Sequence, residues 1–439
     1  MHRAPLFSRE RGKQVFDSGN TAFLLISAAL VLLMTPGLAF FYGGMVKAKS
    51  VVSMMMLSFG SLGLIAVLWV LYGYAITFAG AEDKQFVGID GFIGIDLGAL
   101  GLHDQVQNSL SAGEAAYPDL AFVAFQATFA IITVALISGA IADRAKFGAW
   151  MVFAGLWATL VYFPVASWVF NFTLQDGKVT DGGWIVYNIG AIDFAGGTAV
   201  HINAGAAGLA LAIVLGKRFG FSKGITQPHN VPLTLLGVAL LWFGWFGFNA
   251  GSELAADGLA ALAFINTIAA PAAAMLGWIL IEKIKHGKAT SIGAGSGAIA
   301  GLVAITPACA NLDPIWAMLL GFVSGILCAL AVDLKFALGF DDSLDVVGIH
   351  LVGGIVGTLW IGLFGMNGVG LFLGGTADQL VKQAIGAGAV LVFSFVMALI
   401  IGFIVEKTIG FRVKAEDEIA GIDTVVHGEE AYAFGSDRG

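Results

Sequence analysis

The sequence is short of charge. Only 12% of its 439 residues are Asp, Glu, Lys or Arg, about half the ~25% that a soluble domain carries. So few water-facing groups cannot cover a soluble surface of this size, which excludes an ordinary cytosolic enzyme. The 58% apolar content equally excludes a disordered chain. Basic residues are not in excess: 22 Lys and Arg against 30 Asp and Glu give a net charge of -8 and no basic face for nucleic acid. Cysteine is nearly absent. Cys309 and Cys328 both lie in apolar runs, too few for a disulfide scaffold or a zinc cluster. What is plentiful is apolar side chain, with a mean hydropathy of +0.87, and glycine. The 61 glycines are about twice the usual ~7%, and in a membrane chain they mean close helix packing or backbone lining a path. This composition is that of a polytopic membrane protein.

Crossing ~30 Å of hydrocarbon takes ~20 apolar residues. Eleven stretches qualify: 20–42, 52–79, 120–141, 148–170, 194–216, 231–251, 259–281, 292–309, 315–332, 346–366 and 384–405, none with a fixed charge. Lipid offers the backbone no hydrogen-bond partner, so each must be a helix. The first is too long, and too directly followed by the second, for a cleaved signal peptide. Alternate loops hold eleven cations (Lys47, Lys49, Arg144, Lys146, Lys217, Arg218, Lys223, Lys283, Lys285, Lys288, Lys335), the opposite set only Lys84, Lys178 and Lys382. The positive-inside rule makes the first set cytoplasmic. The N-terminal segment 1–19 is then outside and the tail 409–439 inside. Arg3, Arg9, Arg11 and Lys13 dissent, but are outnumbered. The long outer loops 80–119 and 171–193 are acidic, which reads as a solvated surface or weak steering of a cation.

A repeat organises the spans. His201 is followed by Gly205 and Gly208, His350 by Gly354 and Gly357, and an acid stands eight residues before each, Asp193 and Asp342. The matching spans are five apart, and five is odd. The fold expected is therefore all-α, with two inverted five-helix repeats (about 20–216 and 231–366) and an added eleventh helix, together 20–408. Inverted repeats place a site at their interface near the midplane. Gly293, Gly297 and Gly301 share one helix face and admit a neighbour; a nucleotide-binding loop would need a preceding strand.

His201 and His350 are the intramembrane histidines, either functional or hydrogen-bonded to a helix backbone for packing. Neutral imidazoles can bond to each other and still offer a group to something passing. Two His with no Asp or Glu in any span make a poor metal shell. The sixth span holds Trp242, Phe243, Trp245, Phe246, Phe248 and Asn249, with Ser252 at its outer end. Its rings are lipid or packing groups taken singly, but a hydroxyl acceptor beside aromatic faces suits a small cation. Phe125, Gln126 and Phe129 on the third span offer a second such wall. Asp193 is a cap for the fifth helix, a carboxylate shaping the outer vestibule, or both. No span offers a nucleophile with a base and orienter, so no enzyme is expected.

At these residues the chain resembles the ammonium transporter (Amt/Mep/Rh) family, closest to its microbial Amt branch. The resemblance runs through Phe125–Phe129 to Gly139–Arg144, Asp193–Gly197 into His201, Pro228–Asn230 with Pro232, and Gly244–Ser252. It continues through Thr306–Cys309, Asp345 to His350, and Gly421–Asp423 with His427–Glu429. It implies ammonium and ammonia as substrates, a plasma-membrane homotrimer with one pore per subunit, and no cofactor or metal. It assigns Phe129 and Phe248 to an outer gate and His201 and His350 to the pore centre. Ser252, Phe125, Phe129, Phe170 and Asp193 go to ammonium recruitment, and the tail to contact with a PII-type signalling protein. One position departs: many members place Trp where Phe170 stands. Trp168, two residues earlier, is about 200° around the helix and cannot substitute. The expected path is capture, deprotonation at the gate, passage as ammonia and reprotonation inside. The alternatives are a passive ammonia or carbon dioxide channel and an ammonium sensor signalling through its tail.

Overall fold

The computed structural model describes residues 15–80, 83, 85–110, 114–175, 178–221 and 227–432. The dissenting N-terminal cations Arg3, Arg9, Arg11 and Lys13 lie outside the described residues, as do Glu82, Lys84, Asp176 and Lys223. Among the described residues eleven helices are long and apolar enough to cross a membrane. They are α1 (Ser18–Met45), α2 (Val51–Thr77), α3 (Asp119–Ile141), α4 (Phe147–Phe170), α5 (Gly197–Leu215) and α6 (Val231–Glu253). The rest are α7 (Gly258–His286), α8 (Ser291–Ala308), α9 (Pro314–Leu338), α10 (Val347–Phe364) and α11 (Asp378–Thr408). This is a multi-pass all-α membrane protein. Successive helices run in opposite directions, so α6 starts on the face where α1 ends, and the second five-helix half is inverted relative to the first. We call the two ends of the bundle the Ser18 face and the tail face.

Glycine sets the inter-helix distances. α1 and α6, the first helices of the two halves, lie against each other where a Cβ on Gly37 would come 3.0 Å from Leu240 Cβ, and one on Gly247 2.7 Å from Leu30 Cβ. The Gly297–Gly301 face of α8 meets α7, where added Cβ atoms would stand 2.7 Å from Trp278 Cβ and 2.5 Å from Ala274 Cβ. That is the neighbour the spacing implies. The crossing of α5 and α10 is backbone against backbone. A Cβ on Gly205 would fall 2.5 Å from the backbone nitrogen of Leu351, and one on Gly354 3.0 Å from the carbonyl of Gly197. α11 lies outside the repeat and clasps α5, Ser394 Oγ donating to the carbonyl of Asn203 at 2.7 Å.

The Ser18 face carries more structure than an acidic solvated loop implies. Strands β1 (Phe86–Ile89) and β2 (Ile93–Asp96) form one antiparallel hairpin, β3 (Phe172–Gln175) and β4 (Lys178–Gly182) another. The first is pinned at its tip, where Trp184 N–H donates to Gly91 O at 2.9 Å and Trp168 Nε1–H to Phe92 O at 2.5 Å. On the tail face the segment after α11 is stitched to the bundle. Asp423 accepts the N–H groups of Val52 (3.0 Å) and Ser53 (2.8 Å), closing the N-terminus of α2. His229 Nδ1–H donates to Val46 O at 2.8 Å, which leaves Nε2 to accept from the Tyr432 hydroxyl at 2.9 Å.

Because Gly205 faces backbone, Gly205→Ala must force α5 and α10 apart, at about 1–3 kcal/mol. Gly63, with nothing within 4 Å of its missing Cβ, is a matched control. There Ala is expected to be neutral or to gain up to ~1 kcal/mol of helix propensity. Thermal unfolding midpoints of the two variants in detergent check the pair.

Candidate functional site

The two histidines are delivered by equivalent local structures. Asp193 Oδ1 accepts the N–H groups of Gly196 (2.8 Å) and Gly197 (2.6 Å), while Oδ2 accepts those of Thr198 (2.8 Å) and Ala199 (3.2 Å) and the Thr198 hydroxyl. Asp342 repeats the device, accepting from Val346 (3.1 Å) and Val347 (2.7 Å). Each carboxylate satisfies amide groups that lipid would leave bare and complements the positive end of its helix. Each helix then opens with a π turn, Gly197–Ile202 and Val347–Leu351, a widened turn frequent at functional sites. The imidazoles emerge from those turns almost fully buried, His201 1% and His350 3% exposed.

Their Nδ1 atoms lie 3.3 Å apart, with rings tilted by 24°. One Nδ1 must donate and the other accept, so one ring carries its proton on Nδ1 and the other on Nε2. His201 Nε2 is buried with no partner. Its ring stacks beside Trp245 at 5.5 Å and Phe248 at 6.0 Å. Trp245 is fixed in turn by Nε1–H donating to Thr306 Oγ1 at 2.9 Å. The sequence names Trp245 and Thr306, but nothing in their spacing tells that one orients the other.

Around the histidines Leu38, Ile132, Val200, Leu241 and Ile299 complete an apolar lumen, with about 10 Å³ for the centre of a water-sized molecule, roughly one water's worth. Towards the Ser18 face the lumen is shut by Phe129 and Phe248, stacked at 4.2 Å and 25° and each 1% exposed. Above the stack, Phe125 lies 4.9 Å and Phe170 6.3 Å from Phe129. Ser252 Oγ donates to Phe248 O at 2.8 Å, which leaves its lone pairs to accept from a ligand. Trp168 points elsewhere, stacked on Phe92 at 5.4 Å. Thus Phe125, Phe129, Phe170, Phe248 and Ser252 come together at one mouth. Asp193 stands at the same face, but its carboxylate is committed to the α5 N-terminus. Towards the tail face the helices lining the lumen reach a vestibule of about 210 Å³ bordered by Met45, Ser296, Leu344 and Asp345.

Beside that vestibule is a buried ionic cluster that loop counting misses. Arg144, 0% exposed, donates to Ala140 O (3.0 Å), Asp341 O (2.6 Å) and Ser343 Oγ (2.5 Å). Arg218 holds Asp341 with two nitrogens at 2.9 Å and Asp143 at 3.1 Å. Burial lowers the Arg144 guanidinium to about 10, so it stays charged. Burial also opposes the charge on Asp341, but the Arg218 bonds outweigh it and hold the carboxyl below its usual range. Asp342 goes the other way. Burial pushes it up to about 6, against the nearby charge of Lys335.

Fold and lumen define a multi-pass membrane protein with a narrow, apolar, histidine-centred path through an inverted repeat. The sequence profile of the Ammonium Transporter Family matches residues 22–432. An ammonium transporter of Mycobacterium tuberculosis is 56% identical over 436 residues, 95% of this chain and 91% of that protein. One from Bacillus subtilis is 46% identical over 94% of this chain and 98% of that protein. Among solved structures, a sensor Amt protein superposes with a TM-score of 0.83 at 28% identity, over 93% and 98% of the two chains. Saccharomyces cerevisiae Mep2 gives 0.79 at 33% identity, over 91% and 88%. The chain belongs to the ammonium transporter family. Membership and likeness together support ammonium transport, and the relatives are named as transporters.

The raised carboxyl of Asp342 has a sign that can be checked. Its folded value lies above the ordinary 3.8, so the folded protein binds the proton first. Its contribution to stability is full below pH ~4 and is lost as pH rises through about 6. Asp342→Asn removes that slope, worth of order 1–3 kcal/mol. The unfolding midpoint of the variant between pH 4 and 7 is expected to vary less than that of the wild type.

Proposed function

We propose that the chain conducts ammonium across the plasma membrane by taking it apart. An ammonium ion is captured at the outer mouth by Ser252 and the faces of Phe125, Phe129 and Phe170, with Asp193 holding the start of α5 in place. It gives up a proton at the Phe129/Phe248 stack, crosses as ammonia past His201 and His350, and regains a proton in the inner vestibule. The observation that carries this reading is a paired-imidazole lumen, one molecule wide and apolar, behind a closed aromatic stack. A bare cation in such a lumen costs several kcal/mol or more, neutral ammonia far less. Potassium has no proton to lose and is rejected.

The rest of the reading follows the charge distribution and the family. The Ser18 face, with segment 1–19, is outside. The tail face, with Lys47, Lys49, Lys146, Lys217 and Lys283 against Lys178 and Lys382 opposite, is cytoplasmic. Residues 20–408 form the transport domain and 409–439 a cytoplasmic tail able to meet a PII-type partner. Three copies form the homotrimer, each with its own pore. The likeness to a sensor Amt protein supports a second reading, in which occupancy of the same pore is relayed through the tail.

In proteoliposomes an ammonium jump is expected to evoke a current and a potassium jump none, and replacing both His201 and His350 with Ala abolishes the current or its selectivity. Internal alkalinisation without current would assign the passive gas channel. Silence in both assays would assign the sensor. Phe248→Ala is expected to weaken discrimination against potassium by about tenfold, since an opened stack admits water to the ion. Paired ammonium and potassium jumps read this directly.

A further inference from the structure

The outer mouth is poor in groups that hold a cation. Phe170 is a weaker cation–π partner than an indole would be, and Trp168 is tied to Phe92. Ser252 contributes one oxygen. The Asp193 carboxylate is taken by four backbone N–H groups and a hydroxyl. Asp257 is taken by the N-terminus of α7, through the N–H groups of Leu259 (2.9 Å) and Ala260 (3.1 Å).

Glu253 is different. It follows Ser252 directly and closes the turn Gly251–Glu253 that ends α6. That turn sits on the aromatic wall, where a Cβ on Gly251 would come 3.0 Å from Phe125. Leu254, at φ 60°, stops the helix there. The glutamate is half-buried, and among the described residues no donor or cation meets its carboxylate. The charge that acts on it is Asp257, of the same sign. It also stands at the C-terminus of a helix, the end that repels anions. Partial burial, like charge and the helix dipole all oppose an ionised carboxylate here, and nothing among the described residues offsets them. A small monovalent cation at the mouth would offset all three.

We propose that Glu253 is a second recruiting group of the outer mouth, drawing small monovalent cations to Ser252 and the phenylalanine faces in place of the missing indole. The inference rests on the transport reading above. Glu253 raises the local concentration of ammonium but does not select it, since potassium answers the same charge. Selection stays with the gate and the histidines.

The test compares wild type, Glu253→Gln and Glu253→Asp in proteoliposomes, reading ammonium-driven flux as current or internal pH across ammonium concentration and ionic strength. Removing the charge carried next to Ser252 is expected to raise half-saturating ammonium about 3- to 10-fold. Maximal flux stays within about twofold, and the loss of apparent affinity with added salt flattens. Glu253→Asp restores most of the affinity. The unfolding midpoint of Glu253→Gln is unchanged or higher, whereas a structural role would lower it. Unchanged half-saturation, or a fall in maximal flux alone, overturns the inference while leaving transport standing. A wild type that drives no flux in either readout overturns the transport reading and this inference with it.

Discussion

The contact on which the rest of the structure depends is the approach of two imidazoles to 3.3 Å. It requires two helices from opposite halves of the chain to cross with almost no side chain between them, and Gly205 and Gly354 are what permit it. Once α5 and α10 meet there, the other features follow. The capping aspartates must sit at opposite ends of the bundle, because the helices run in opposite directions. Trp245 and Phe248 can stack beside one ring because α6 passes the crossing. The lumen is narrow because backbone, not side chain, sets its width.

Polarity is kept off the path itself. Asp193 and Asp342 serve helix ends, and Arg144 and Arg218 are balanced by Asp341 and Asp143 beside the vestibule. Between the phenylalanine stack and the vestibule, the histidines are the polar groups lining the lumen. A neutral solute meets little there that would hold it. A cation meets little that would replace its water.

Much of this was legible in the sequence, for reasons that differ by feature. The eleven helices follow from apolar length alone, since lipid permits nothing else. The repeat shows through the shared eight-residue offset of Asp193 and Asp342 from the histidines, and the Gly297–Gly301 face through its spacing of four. That Trp168 cannot replace Phe170 follows from helical angle, and Trp168 is indeed held by Phe92. Other features had no local signal. Arg144 reads as one more loop cation, because its partners Asp341 and Ser343 are nearly two hundred residues away. Asp193 reads equally as cap or vestibule acid, and only its hydrogen bonds show how fully the cap uses it. The π turns leave no mark in composition, and the hairpins on the Ser18 face are too short for alternation to reveal.

The bonds from Asp423 to Val52 and Ser53 join positions 371 and 370 residues apart. A chain made from its N-terminus inserts its second helix long before the residue that finishes that helix exists. Until Asp423 has been made, the first amides of α2 must face water or headgroups at the membrane surface. The segment after the eleventh span therefore acts as a keystone, and a chain cut short before Asp423 would carry all eleven described spans yet leave the start of the second one unfinished.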